Sequence, residues 1–148
     1  MNLTEQIISD LKIAMKSNDS LRLQTIRSIR ALILEFEKSG SGKQLNTEEE
    51  IKLLSSAAKK RKEAMEEYLK AGRHDLASIE EAELKIIMSY LPKQLTTEEL
   101  VEKIQIIASQ VGATNKSDFA KLMPIAAKEL KGQADGKTIK EIVEKILS

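Results

Sequence analysis

Few residues in this chain have side chains suited to reaction chemistry. Its 148 residues include no cysteine and one histidine, His74. Without Cys there is no thiolate nucleophile, disulfide framework or Cys-ligated zinc. A single His excludes a two-His metalloprotease motif and a His-rich metal centre. His74 lies between Arg73 and Asp75 in a turn, with no Ser, Cys or second His placed to cooperate. That context argues against nucleophilic catalysis. Carboxylates gather at Glu48, Glu49 and Glu50 and again at Glu80, Glu81 and Glu83. Helix starts and solvated faces account for both groups. No catalytic residue, metal or cofactor is expected.

The most chemically suggestive segment is Gly132-Gln133-Ala134-Asp135-Gly136-Lys137-Thr138. It has the look of a phosphate loop but fails the pattern. The motif needs four residues between its glycines, and a strand before them. Here three residues intervene and a helix precedes. A plainer reading makes Gly132 a helix C-cap and Asp135 the cap of the next helix, with Gly136 allowing close backbone approach. The start of that last helix still offers amide donors beside Lys131, Lys137 and Lys140, and such a helix start can receive a phosphate. Lys128, Lys131, Gly132, Gly136, Lys137 and Lys140 are therefore the candidate nucleic-acid-binding residues.

Two further groups carry charge where apolar residues are expected. Arg61 interrupts the apolar stripe of one helix and Glu83 that of the next. Folding the two antiparallel about a turn at 72–75 brings them within about one helical turn. A structural cross-helix ion pair follows; an anion site built from Arg61 and Arg73 is the alternative. On an earlier helix, Arg27 and Arg30 are helical neighbours. Arg22 falls near the apolar stripe, where it caps the core edge or meets a carboxylate.

The elements that must position these residues are helical throughout. Leu, Ile and Ala among many Glu and Lys favour helix, and apolar periodicity near 3.6 recurs from end to end. The first helix, 3–16, carries Leu3, Ile7, Leu11 and Met15 and is capped by Asn2. The second, about 20–38, turns Ile26, Ile29, Ile33 and Phe36 inward. Ser39-Gly40-Ser41-Gly42 reads as a flexible connection. Thr47 with Glu50 forms a capping box for a third helix, whose stripe is Ile51, Leu54, Ala58, Arg61, Met65 and Tyr68. Gly72 stops it in a left-handed conformation. The fourth, about 75–90, aligns Leu76, Ile79, Glu83, Ile86 and Tyr90. Pro92 marks the best boundary, giving an N-terminal helical domain of about four helices over 1–92 and a C-terminal one of about three over 93–148. Thr96 with Glu99 starts the fifth helix through a second capping box; Leu100, Ile104 and Ile107 face its core and Gly112 ends it. Pro124 is placed at the first position of a short helix within 116–131. The last helix buries Ile139, Ile142, Val143 and Ile146.

Composition sharpens the functional range. The formal net charge is +1 and aromatics make up 3% of residues. Balanced charge argues against a strongly basic coat protein, and so few aromatics argue against single-strand binding by base stacking. Within 116–140 six Lys face Asp118, Glu129 and Asp135, a local excess of three. That is enough for a phosphate-contacting face, and equally for a merely solvated one. No apolar run approaches the ~20 residues of a membrane span, and the start lacks the basic and apolar regions of a signal peptide. A cytoplasmic location is the expectation.

Five pieces carry a family resemblance: Asp19-x-x-Arg22-Leu23-x-Thr25-Ile26-Arg27; Ala58-x-x-Arg61; Tyr68-x-x-Ala71-Gly72-Arg73-x-Asp75-Leu76-Ala77; Tyr90-Leu91-Pro92-x-Gln94-Leu95; and Lys131-Gly132-x-Ala134-Asp135-Gly136-Lys137. Each is weak alone; in this order and spacing they are specific. The sequence resembles free-standing members of the GatB/YqeY family. The resemblance implies an all-α fold with two helical domains, the second related to the tail of the B subunit of the tRNA-dependent amidotransferase. In that enzyme the tail helps hold tRNA while the chemistry resides elsewhere, and the family label is a carbon–nitrogen ligase with glutamine as amido donor. This chain lacks the catalytic cradle domain, and it carries Gln133 where Arg is common. A non-catalytic module that binds tRNA, or a protein of the translation or aminoacyl-tRNA machinery, is the leading expectation. A protein-binding adaptor using Ile87 and Met88 is the alternative, and inherited amidotransferase activity is the third.

Overall fold

A computed structural model describes residues 2–40, 42 and 45–148. Among the described residues the chain is all-α. Seven α-helices run α1 Leu3–Lys16, α2 Ser20–Lys38, α3 Thr47–Lys70, α4 His74–Met88, α5 Thr97–Val111, α6 Phe119–Glu129 and α7 Gly136–Leu147, with a 3-10 turn at Lys116–Asp118 before α6. The chain divides into two compact units, Met1–Leu91 and Pro92–Ser148. Ser41, within the glycine–serine connection, lies outside the described residues.

In the first unit, Asn2 opens α1 with a reciprocal capping box: its side chain accepts from the Glu5 N–H at 2.9 Å and Glu5 accepts from the Asn2 N–H at 3.3 Å. The buried face of α1 is Leu3, Ile7 and Ala14. Met15 was expected on that stripe and is instead 53% exposed. The helical period explains it: seven residues beyond Ile7 nearly completes two turns, whereas eight overshoots by most of a quarter turn. Ile26, Ile29 and Ile33 of α2 and Leu54, Ala57 and Ala58 of α3 complete this core with Ile87 of α4. Burying one such large aliphatic side chain contributes about 1.5–3 kcal/mol. Among the described residues Thr25 is the one buried polar side chain, and its hydroxyl donates to the Leu21 carbonyl at 2.8 Å.

Two expected capping boxes are corrected. Asn46, not Thr47, caps α3; its side chain accepts from the Glu49 N–H at 2.9 Å. Asn is at least as good a cap as Thr and is already extended one residue earlier. Glu50 is thereby released from a capping box, and its carboxylate accepts from the Leu3 N–H at 3.3 Å, tying the starts of α1 and α3. At α5, Thr96 does cap, accepting from the Glu99 N–H, but Glu99 returns to the Thr96 hydroxyl at 3.2 Å and not to its backbone.

The α3–α4 hairpin depends on Gly72, whose φ of 71° is left-handed. Around it the Arg73 N–H donates to the Tyr68 carbonyl at 2.8 Å and the Gly72 N–H to Leu69 at 3.1 Å. These are the two bonds of a Schellman closure. On α4 the expected alignment is only partly right: Ala77 and Ile87 are buried while Ile79 is 46% exposed, and Tyr90 lies beyond the helix end at Met88. The adaptor expectation suffers in the same place, because Ile87 is fully buried and Met88 half-buried.

The second unit packs Leu100, Ile104 and Ile107 of α5 and Leu122 and Ala126 of α6 against Ile139, Ile142, Val143 and Leu147 of α7. Gly112 ends α5 at φ 71°. Pro124 stands inside α6 and not at its first position. The 3-10 turn feeds directly into Phe119, so helical geometry is established before the proline, which faces solvent and forgoes one backbone bond.

Candidate nucleic-acid interface

The turn joining α6 to α7 carries Lys131, with the other candidate lysines on the flanking helices, and its shape comes from backbone chemistry. α6 ends at Glu129 with Leu130 as its C-cap. The Gln133 N–H then donates to the Leu130 carbonyl at 3.0 Å, closing a four-residue turn over Lys131 and Gly132. Gly132 has φ 81° at the third position, which a type II turn reserves for glycine. Its role is therefore that of a turn residue past the helix, not of the helix cap the sequence suggested. Lys131 and Ala134 form an isolated parallel bridge across the turn.

Asp135 caps α7: it is extended, and its carboxylate accepts from the Thr138 N–H at 2.8 Å. Gly136 is the first helical residue. A Cβ built there would meet nothing within 4 Å, so the expected packed neighbour is not what calls for a glycine. Lys128, Lys137 and Lys140 are exposed, and Lys131 is half-buried. Lys137 and Lys140 are one helical turn apart on α7. Of the six candidate residues, Lys128 thus lies in the last turn of α6, Lys131 and Gly132 in the α6–α7 turn, and Gly136, Lys137 and Lys140 in the first turns of α7. The Asp135 carboxylate sits among them and offsets part of their charge.

This turn is also held from a distance. The Gln94 side-chain amide donates to the Gly132 carbonyl at 2.6 Å and to the Pro92 carbonyl at 2.9 Å. The Leu95 N–H donates to the Gln133 carbonyl at 2.9 Å. No sequence signal marked this link; it joins residues 38 apart and needs the folded unit to exist.

In the first unit, Arg61 Nε lies 2.8 Å from Glu83 and 3.6 Å from Glu80, with side chains 25%, 12% and 20% exposed. Arg61 Nε and Glu80 Oε2 are both shut off from solvent without a hydrogen-bond partner, so the short approach is a charge contact with the N–H turned off the axis. Glu80 was not anticipated as a member. It stands three residues before Glu83 and so shares its face of α4. The anion site proposed from Arg61 and Arg73 is not formed, because the Arg73 guanidinium holds Asp75 through two contacts at 3.1 and 3.2 Å. That guanidinium is the main reason the Asp75 carboxyl is lowered below its ordinary 3.8. His74 is exposed at the start of α4.

Sequence reasoning also missed the pairing of Tyr90 with Asp10. The phenol donates to the Asp10 carboxylate at 2.5 Å across 80 residues of chain. Burial, and then this bond, push the phenol above its ordinary 10, while the positive charge of Arg22 pulls the other way. Arg22 is half-buried, whereas Arg27 and Arg30 are exposed.

Two hollows lie elsewhere. One is lined by Lys116, Phe119, Glu141, Glu144, Lys145 and the chain end. The other runs between α2 and α3 past Leu32, Phe36, Leu53 and Arg61. Neither includes the lysines of the α6–α7 turn. Among the described residues no group of three His, Asp or Glu side chains converges for a metal, and no helix is long and apolar enough to cross a membrane.

The family model described as Yqey-like protein matches residues 4–147. Curated relatives include proteins named "Altered inheritance of mitochondria protein 41, mitochondrial". That of Lachancea thermotolerans is 42% identical over 82 residues, covering 55% of this chain and 44% of the relative. That of Vanderwaltozyma polyspora is 37% identical over 82 residues, with 55% and 44% covered. That of Clavispora lusitaniae is 33% identical over 109 residues, covering 72% of this chain and 62% of the relative. The chain therefore spans less than half the length of the first two.

Proposed function

The chain belongs to the YqeY-like protein family, and on that premise we propose that it is a non-catalytic helical module that contacts tRNA phosphates through its α6–α7 turn. The observation that carries the reading is the pair of exposed lysines in the first turns of α7, Lys137 and Lys140, with open space over Gly136 and exposed Lys128 in the last turn of α6. Phosphate oxygens are drawn to ammonium groups and to the positive end of a helix. Contacts of this kind position a nucleic acid and do not read its bases. Their small number makes the binding weak, with a salt dependence that scales with the number of phosphates neutralised. The Asp135 carboxylate and the absence of a cation at Gln133 weaken it further.

The only histidine is exposed beside Arg73 and Asp75, and the chain has no cysteine. Those facts support a binding role over glutamine-dependent amidation. The proposed compartment is the cytoplasm. The fungal relatives are named for mitochondria, and cell fractionation distinguishes the two.

The test is tRNA affinity at low and moderate salt for the wild type and the Lys131→Ala/Lys137→Ala double variant. The expected result is detectable wild-type binding that weakens in the variant, with a shallower salt dependence. Equal affinities, or no wild-type binding at low salt, refute the proposal.

A further inference from the structure

We infer that Gln94 is the positioning residue of the lysine-bearing turn, acting on a phosphate ligand through the backbone and without touching it. The inference rests on the reading of that turn as the phosphate-contacting surface. Gln94 follows the unit's first residues, Pro92 and Lys93, yet its amide nitrogen uses both protons on backbone carbonyls: Pro92 at 2.9 Å and Gly132 at 2.6 Å. The second bond is part-buried, and Gly132 itself is buried. One residue on, the Leu95 N–H takes the Gln133 carbonyl at 2.9 Å. Two adjacent residues of one segment thus grip two adjacent carbonyls of the turn.

The grip falls at the point of greatest freedom. Gly132 is in the left-handed region at φ 81°, where glycine has more accessible conformations than any other residue. The Leu130–Gln133 bond closes the turn, and the Gln94 and Leu95 bonds hold its Gly132 and Gln133 carbonyls from outside. From Gly132 the chain runs through Gln133 and Ala134 to Asp135 and Gly136, so the orientation of the Gly132 peptide sets where α7 begins. Lys131 precedes that peptide and Lys137 follows it. A side chain with no charge therefore controls the spacing between cations on both sides of the turn. Of the common side chains, only Gln and Asn offer a neutral nitrogen with two such donors. Asn is one methylene too short to span the same gap, whereas Met keeps the length and loses the donors.

The experiment compares wild type, Gln94→Met and Gln94→Asn in the full chain with a control variant of the same unit. The control is Gly112→Ala, which strains the left-handed stop of α5 and so loosens the same unit at the opposite end of that helix from the Leu95 link. Backbone amide exchange is read by residue, together with tRNA affinity across a salt series. For Gln94→Met the expected result is faster exchange confined to Leu95 and 131–137, binding weaker by about tenfold, and a salt slope lower by about one. Gln94→Asn lies between and serves if the Met variant does not fold. Gly112→Ala leaves the slope unchanged, because fewer folded molecules bind through the same contacts. Unaltered exchange at 131–137 in both Gln94 variants overturns the inference, as does an unaltered salt slope where wild type binds. If wild type does not bind tRNA and Gln94→Met still frees the turn selectively, the positioning role stands and the tRNA reading fails.

Discussion

Replacing Tyr90 by Phe removes one hydroxyl and almost nothing else, which makes it the sharpest test of how the first unit is closed. The phenol donates to the Asp10 carboxylate at 2.5 Å, and both residues are half-buried. A hydrogen bond to a charged acceptor contributes about 1.5–3 kcal/mol net. Partial exposure lets water reach Asp10 when the hydroxyl goes, so the lower end applies, about 1.5 kcal/mol. For a unit of this size that corresponds to a fall in melting temperature of roughly 6–12 °C. The assay is built into the sequence: there is no Trp, and both tyrosines, Tyr68 and Tyr90, lie in Met1–Leu91. Tyrosine fluorescence therefore follows the first unit alone, and Tyr68 still reports in the variant. The pH dependence follows from the raised phenol. Folded Tyr90 keeps its proton at pH values where the unfolded phenol, near 10, has released it. The contribution is complete below about pH 10 and is lost as pH rises beyond that value through the folded one. Wild type and variant should differ fully at neutral pH and converge in the alkaline range. Equal melting at neutral pH, or a gap that persists undiminished to about pH 11, refutes the argument.

The carboxylate pair around Arg61 predicts a ranking measurable by urea denaturation. Arg61→Met should cost most, about 2 kcal/mol after allowing for exposure, because it leaves Glu80 and Glu83 facing each other uncompensated. Glu83→Ala should cost less, since Glu80 remains beside Arg61, and Glu80→Gln should be close to neutral; Glu80→Gln emerging as the most damaging would contradict the assigned geometry. The glycines separate stability from binding. Gly72→Ala, at φ 71°, should destabilise by about 1 kcal/mol or more. Gly136→Ala, in open space without a left-handed φ, should be neutral or stabilising by up to about 1 kcal/mol. If it nevertheless weakens tRNA binding, a ligand occupies that open space; unchanged binding places the contact elsewhere.

Helix positions were legible because local rules and tertiary demands agree. Asn2, Gly72, Gly112 and Asp135 each act where capping chemistry places them, and α2 spans the residues its apolar period marks. The misses occur where two local solutions compete within one residue or a quarter turn. Asn46 and Thr47 are both good caps. Ala14 and Met15 both follow Ile7 by about two turns, and hydrophobicity favours the wrong one. Pro124 shows a different failure: proline favours the first position of a helix, but a 3-10 turn ahead of Phe119 had already started this one.

Charge was legible only where one helix period exposes it. Arg61 and Glu83 interrupt apolar stripes, so each announces itself, and the hairpin at Gly72 is short enough to bring them together. Glu80 and Asp10 interrupt nothing, and so no pattern singles them out. The Asp10–Tyr90 and Gln94–Gly132 bonds join residues 80 and 38 apart. A bond of that reach follows from where helices end after packing, which periodicity does not encode. Yet Tyr90 and Gln94 belong to one short motif, Tyr90-Leu91-Pro92-x-Gln94-Leu95, and its polar side chains now have separate physical roles. Tyr90 fastens the end of the first unit to α1. Gln94 fastens the start of the second to the lysine turn. Between them only Leu91, Pro92 and Lys93 remain, and proline restricts its own φ and the residue before it. The segment is thus specified at both ends by hydrogen bonds internal to each unit, which accounts for a Tyr and a Gln at those positions.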